Sequence, residues 1–153
     1  AVAYAELNGL FAGYPDGRFG PNDKMTRWMF AKVLQNIEGG SGDPMDWAFE
    51  HGIITGVGNG DLAPKREITR QEMMTMLHRY AELRGYTLPE NRDLILWRDA
   101  DAIDAWAKTA VEDLYKAGVI SHKGDENVAA RDTATRAEAA TMLRSFLRFV
   151  AGK

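Results

Sequence analysis

The chain has 153 residues, is 45% hydrophobic and 27% charged, and carries 19 Lys plus Arg against 22 Asp plus Glu. That size and mix predict one folded domain or a few small repeats with a real core, not a disordered chain. A net charge of -3 argues against a general nucleic-acid binder, and the absence of cysteine excludes disulfide scaffolds, Cys-ligated zinc and thiol catalysis. No run of about 18 apolar residues exists to span a membrane. The chain opens Ala1-Val2-Ala3-Tyr4 without a methionine, which reads as a fragment or a processed chain.

Taken in chain order, three segments align without gaps. Gly9-Leu10-Phe11 leads to Thr26-Arg27, Gly52-Ile53-Ile54 to Thr69-Arg70, and Gly118-Val119-Ile120 to Thr135-Arg136, with 17 residues from Gly to Thr each time. Phe19, Leu62 and Val128 align, as do Met25, Ile68 and Ala134. After each Thr-Arg, apolar residues fall at i, i+4 and i+7: Phe30, Leu34 and Ile37; Met73, Leu77 and Tyr80; Ala139, Leu143 and Phe146. That spacing is one face of an α-helix.

Each copy therefore predicts helix, loop, helix. The first helix ends at Gly9, Gly52 or Gly118, a residue suited to a left-handed C-terminal cap. The loop is turn-rich, as in Gly13-Tyr14-Pro15-Asp16-Gly17. The second helix starts at the Thr. Thr69 with Glu72 and Thr135 with Glu138 have capping-box spacing, while copy one has Met29 in place of the glutamate. One helical hairpin cannot bury its own apolar face, so the expectation is an all-α fold. It would set three helix-loop-helix repeats in a pseudo-threefold bundle, with the second helices near the axis.

Gly-Tyr-Pro-Asp-Gly-Arg-Phe at 13–19, followed by the Thr-Arg helix starts, resembles the S-layer homology (SLH) repeat. Ile68-Thr69-Arg70-Gln71-Glu72 and Ala134-Thr135-Arg136-Ala137-Glu138 look like that family's Ile-Thr-Arg-Ala-Glu signature. Asp104-Ala105-Trp106-Ala107 looks like its opening of the first helix. The resemblance covers almost the whole chain and implies three repeats: residues 1–38 (truncated), 44–90 and 91–153. Gly39-Gly40-Ser41-Gly42 falls in the junction 39–43 and reads as a flexible linker. The resemblance also implies a non-enzymatic, extracellular module on the bacterial cell surface. Its ligand would be a secondary cell-wall polysaccharide carrying pyruvylated amino sugars, held in grooves between repeats by the motif arginines.

Arg27, Arg70 and Arg136 stand in the first turn of a helix, where the dipole disfavours a cation. An arginine fork beside free helix-start N–H groups suits a carboxylate such as a pyruvate ketal. The alternative is that each arginine bonds carbonyls or carboxylates of a neighbouring repeat. In the loops, Tyr14 offers a stacking face, Asp16 accepts hydroxyl bonds, Gly17 admits close approach and Lys123 adds charge. Tight-turn geometry alone also accounts for Asp16 and Gly17.

Trp47, Trp97 and Trp106 are expected in the core, the first and last on first helices at repeat junctions. Trp28, with Met29, offers an anchor for a protein partner or fills vacated space. With the linker and the missing leaders of copies one and two, they suggest an alternative function: an engineered protein-binding or display scaffold on the same fold. No catalytic set assembles: His51, His78 and His122 are scattered, and no nucleophile elbow exists. Asp99, Asp101 and Asp104 read as loop solvation and helix capping rather than a calcium loop. No metal or cofactor is expected.

Overall fold

The computed structural model describes residues 24–55, 61–95, 97–120 and 127–151. Regular structure among them is helical: α1 (Arg27–Glu38), α2 (Pro44–Glu50), α3 (Arg70–Leu83), α4 (Lys108–Lys116) and α5 (Arg136–Ala151), with single 3-10 turns at Ala100–Ala102 and Ala105–Ala107. The all-α expectation holds. α1, α3 and α5 are the second helices of the three repeats. α2 and α4 are the first helices of repeats two and three.

The repeats meet at the residue before each helix-capping threonine. Met25 N–H donates to the carbonyl of Ala134, Ala134 N–H to Ile68, and Ile68 N–H to Met25, each at 2.9 Å. These three aligned positions thus form a closed cycle of backbone hydrogen bonds, and all three side chains are fully buried. Antiparallel bridges Lys24–Thr135, Thr26–Glu67 and Thr69–Thr133 flank the cycle. One pair per junction is too short to make a sheet.

The helix starts are then closed by neighbours. At α1, Arg27 N–H and Trp28 N–H donate to the carbonyls of Arg66 and Pro64, both at 2.9 Å. At α3, Arg70 N–H and Gln71 N–H donate to Asp132 and Ala130, both at 2.8 Å. The next N–H goes to the threonine: Met29 to Thr26 Oγ1, Glu72 to Thr69 Oγ1 and Glu138 to Thr135 Oγ1. Glu72 and Glu138 return the bond to the Thr69 and Thr135 N–H groups at 2.9 Å, completing two capping boxes. The expectation of free N–H groups beside Arg27 and Arg70 is therefore corrected. A loop carbonyl from the next repeat satisfies them, because buried donors must find acceptors.

Those loop carbonyls are aimed by a residue in left-handed backbone conformation. Ala63 (φ 49°) precedes Pro64, and its repeat-equivalent Ala129 (φ 55°) precedes Ala130. Asp61 Oδ1 accepts from Ala63 N–H, while Asp99 accepts from both Val128 N–H and Ala129 N–H. Asp99 therefore braces this turn.

The predicted helical faces are buried: Phe30 and Leu34 of α1, Met73, Leu77 and Tyr80 of α3, and Ala139, Leu143 and Phe146 of α5, with Ile37 partly covered. Tyr80 Oη donates to Glu38 Oε1 at 2.9 Å, so α3 grips the end of α1. His78 Nε2 lies 2.8 Å from Asp113 Oδ2, tying α3 to α4. At the 39–43 junction the chain turns sharply between α1 and α2. Gly39 caps α1 with φ 79°, and Gln35 Nε2 donates to the carbonyl of Gly42. A Cβ on Gly40 would stand 2.7 Å from Trp47 Nε1, so only glycine lets the chain cross this indole. At the start of repeat three, Arg92 packs its guanidinium 3.8 Å from the Tyr115 ring centroid and donates to the carbonyls of Tyr115, in the last turn of α4, and Ile120, beyond its end.

Two substitutions test the backbone reading. Gly118 has φ 81° and open space around its Cβ position, so Gly118→Ala should cost about 1 kcal/mol by backbone strain alone. Ala129→Gly should instead gain stability, by up to about 1 kcal/mol, since it relieves the same strain. Urea midpoints at constant m-value would check both.

Candidate functional site: grooves between successive repeats

Arg27 leaves the first turn of α1 and enters repeat two. Its Nε donates to the carbonyl of Leu62 at 3.0 Å, Nη2 to the carbonyl of Thr55 at 3.0 Å, and Nη1 to Glu72 Oε2 at 2.8 Å. Arg70 does the same one repeat later, with Nε to Val128 O at 3.0 Å and Nη1 to Glu138 Oε2 at 2.9 Å. Arg27, Arg70 and Arg136 are 4%, 7% and 3% exposed. Bonding to a neighbouring repeat's carbonyls and carboxylate, the alternative open in the sequence, is thus the arrangement at Arg27 and Arg70. It accounts for a cation in a first helical turn. Burial pulls the Arg27 pKa below its ordinary value, opposed by the Glu72 carboxylate. The guanidinium stays charged regardless.

Both arginines also line a groove. The first, about 460 Å³, runs between repeats one and two and presents Arg27, Arg66, Glu72, Arg79, Thr55 and Trp106. Glu72 Oε2 accepts from Arg66 as well as Arg27, and Arg79 reaches the carbonyl of Ile53 at 3.4 Å. Two guanidinium groups therefore share the Glu72 carboxylate, and a third, that of Arg79, lines the same groove. The second groove, about 330 Å³, lies between repeats two and three and holds Arg70 and Glu138 among Met73, Met74, Val119 and Met142. Its repeat-equivalents of Arg66 and Arg79 are Asp132 and Ser145. The two grooves are built alike but charged differently, with the excess of cations at the first.

Trp106 corrects the expectation of burial. It sits in the 3-10 turn Ala105–Ala107, before α4 begins, and its side chain is turned outward, with 52% exposed. Trp47 and Trp97 are buried as expected, Trp97 edge-on to Tyr115 at 5.3 Å. Trp28 is 38% exposed on the first turn of α1, while Met29 is half-buried against the core. Tyr14, Asp16, Gly17 and Lys123 lie outside the described residues. Sequence reasoning did not pick out Arg79, which stands off the apolar stripe of α3 and has no counterpart cation in the other repeats. It read Glu72 as a cap alone.

Beyond Trp106, the acidic run has a definite task. Asp104 Oδ2 accepts from Gln71 Nε2 at 2.7 Å, Oδ1 accepts from Arg131 Nη2 at 2.6 Å, and Asp104 N–H donates to Gln71 Oε1 at 3.0 Å. Asp104 thus clamps repeat three to α3 and caps no helix with its side chain. The Arg131 hydrogen bond, then that of Gln71, holds its carboxyl below the ordinary carboxylate range. Among the described residues, no cluster of His, Asp and Glu is arranged to hold a metal ion.

Glu72→Ala would strand Arg27 without its counter-charge and should lower stability by about 3 kcal/mol, read from denaturant midpoints. Asp104 has a depressed pKa, so its contribution is present above the ordinary value of 3.8 and lost as pH falls through the folded value. The stability gap between the native chain and Asp104→Asn should therefore hold constant from pH 7 to 5 and close below pH 3.8.

The chain matches the S-layer homology domain over residues 1–27, 37–74 and 98–140. It is 29% identical over 155 residues to an amylopullulanase of Thermoanaerobacterium thermosulfurigenes, covering 90% of this chain and 8% of that protein. It is 28% identical to an endoglucanase of Bacillus sp. (strain KSM-635), over 87% of this chain and 16% of the relative. A cellulosome-anchoring protein of Acetivibrio thermocellus matches at 28%, over 88% of this chain and 34% of its own length. The chain spans about a third or less of each, so what is shared is a module. Three successive matches, on the segments that carry the Thr-Arg helix starts, make the chain a member of the S-layer homology domain family.

Proposed function

We propose that this module fixes a larger protein to the bacterial cell wall by holding an anionic secondary cell-wall polysaccharide in the grooves between its repeats. The chain acts at the extracellular face of the bacterial cell and is a non-catalytic anchoring domain. Family membership supports this, as do relatives named as a cellulosome-anchoring protein and a cell surface glycoprotein.

The observation that carries the finer reading is the first groove. Arg27, Arg66 and Arg79 line it with a single carboxylate, Glu72, beside the exposed indole of Trp106. A pyruvylated sugar brings a carboxylate on a short ketal and a pyranose ring with an apolar C–H face. The surplus guanidinium charge suits the carboxylate, since Arg66 and Arg79 are less committed than Arg27. The indole suits the ring face. Arg70 serves the second groove, where a single arginine is already matched by Glu138. Arg136, Tyr14, Asp16, Gly17 and Lys123 belong to the same proposal as contacts at the remaining loops and junction.

The test is binding of the purified chain to cell-wall sacculi before and after the secondary polymer is stripped. Binding should disappear on stripping. Arg79→Ala and Arg66→Ala should each weaken it about tenfold, the scale of one charge-assisted hydrogen bond, and added salt should weaken it further. Undiminished binding to stripped sacculi would overturn the reading.

A further inference from the structure

We infer that the glycan site does not end at Trp106 but continues into a second subsite, which takes a neutral, hydroxyl-rich sugar next to the acidic one. This rests on the groove reading above and extends it. A cavity of about 580 Å³ adjoins the first groove and shares Arg66, Glu72 and Trp106 with it. Trp106 thus belongs to two adjoining hollows. With 52% of the residue exposed, its indole is available for contact with a ligand.

The far hollow differs in chemistry. Glu67, Gln71, Asp104, Arg131 and two threonines line it together with the shared residues. Here each cation has an acidic partner: Arg131 meets Asp104, and Arg66 meets Glu72. Three carboxylates stand against two guanidinium groups, the reverse of the surplus in the first groove. That excess of acid disfavours a second carboxylate, and the mixture of donors and acceptors suits sugar hydroxyls, which donate and accept at once. The groups are held in place before any ligand arrives. Gln71 is 3% exposed with both amide atoms engaged, and it fixes the orientation of Asp104. Preformed polar groups beside an open aromatic face cost little ordering on binding. A saccharide crossing Trp106 would place its acidic ring among Arg27, Arg66 and Arg79, and the adjacent ring against Asp104 and Arg131.

Isothermal titration with two probes tests this: a pyruvylated N-acetylhexosamine, and the disaccharide joining it to a neutral N-acetylhexosamine. The native chain should bind the disaccharide about tenfold more tightly than the monosaccharide. Arg131 is exposed, so Arg131→Ala should fold normally by circular dichroism; it should erase that gain and leave monosaccharide affinity unchanged. Arg79→Ala should weaken both probes alike. Equal affinity for the two probes, or an Arg131→Ala loss shared by both, would overturn the second subsite and leave the groove standing. Failure of both probes to bind the folded native chain would overturn both readings.

Discussion

Everything else in this molecule hangs on a cycle of three backbone hydrogen bonds. Met25, Ile68 and Ala134 come from three different repeats, and each both donates to one neighbour and accepts from the other. No repeat can complete its own share. Each buried N–H left unmade would cost about 1–3 kcal/mol, so the three segments are held together or not at all. The apolar side chains at these positions seal the cycle from water. Because the capping threonine and the arginine follow directly, closing the cycle also fixes where each helix starts and where each guanidinium points.

This placement gives single residues several tasks. Glu72 completes a capping box through Oε1 and holds Arg27 and Arg66 through Oε2. One carboxylate thereby joins helix initiation, repeat docking and the electrostatics of the groove. Glu138 repeats the design with Arg70. At the third junction the equivalent position is Met29, and a thioether cannot play that part. The repeats are therefore alike in construction and unlike in charge. Asp61 and Asp99 show the same economy on the loop side. They brace the left-handed turns at Ala63 and Ala129 that aim carbonyls at the next helix start.

The grooves are a consequence of docking, not an addition to it. Arg27 and Arg70 are pinned by the neighbouring repeat before any ligand is present, so their guanidinium groups are presented at fixed positions. What varies is the surrounding cast. Arg66 and Arg79 in one groove become Asp132 and Ser145 in the other. Two surface changes on an unchanged frame are enough to tune a groove's charge, because neither residue belongs to the buried cycle.

The amino-acid sequence by itself determined the local elements. The i, i+4, i+7 stripes, the Thr-x-x-Glu boxes and the terminal glycines each act over a few residues, and they placed the helices, the caps and the repeat. It also contained the alternative in which the motif arginines bond a neighbouring repeat. What only the tertiary structure decided is which donors meet which acceptors across repeats. The helix-start N–H groups beside Arg27 and Arg70 are taken by carbonyls 36 to 62 positions away, a distance that no local pattern encodes. Trp106 looked like a core residue because its type is usually buried, yet its place ahead of α4 turns it toward solvent. Arg79 and Asp104 acquire meaning only through what the folded chain brings beside them. Local geometry is written in short-range spacing; charge sharing at a junction exists only once the junction has closed.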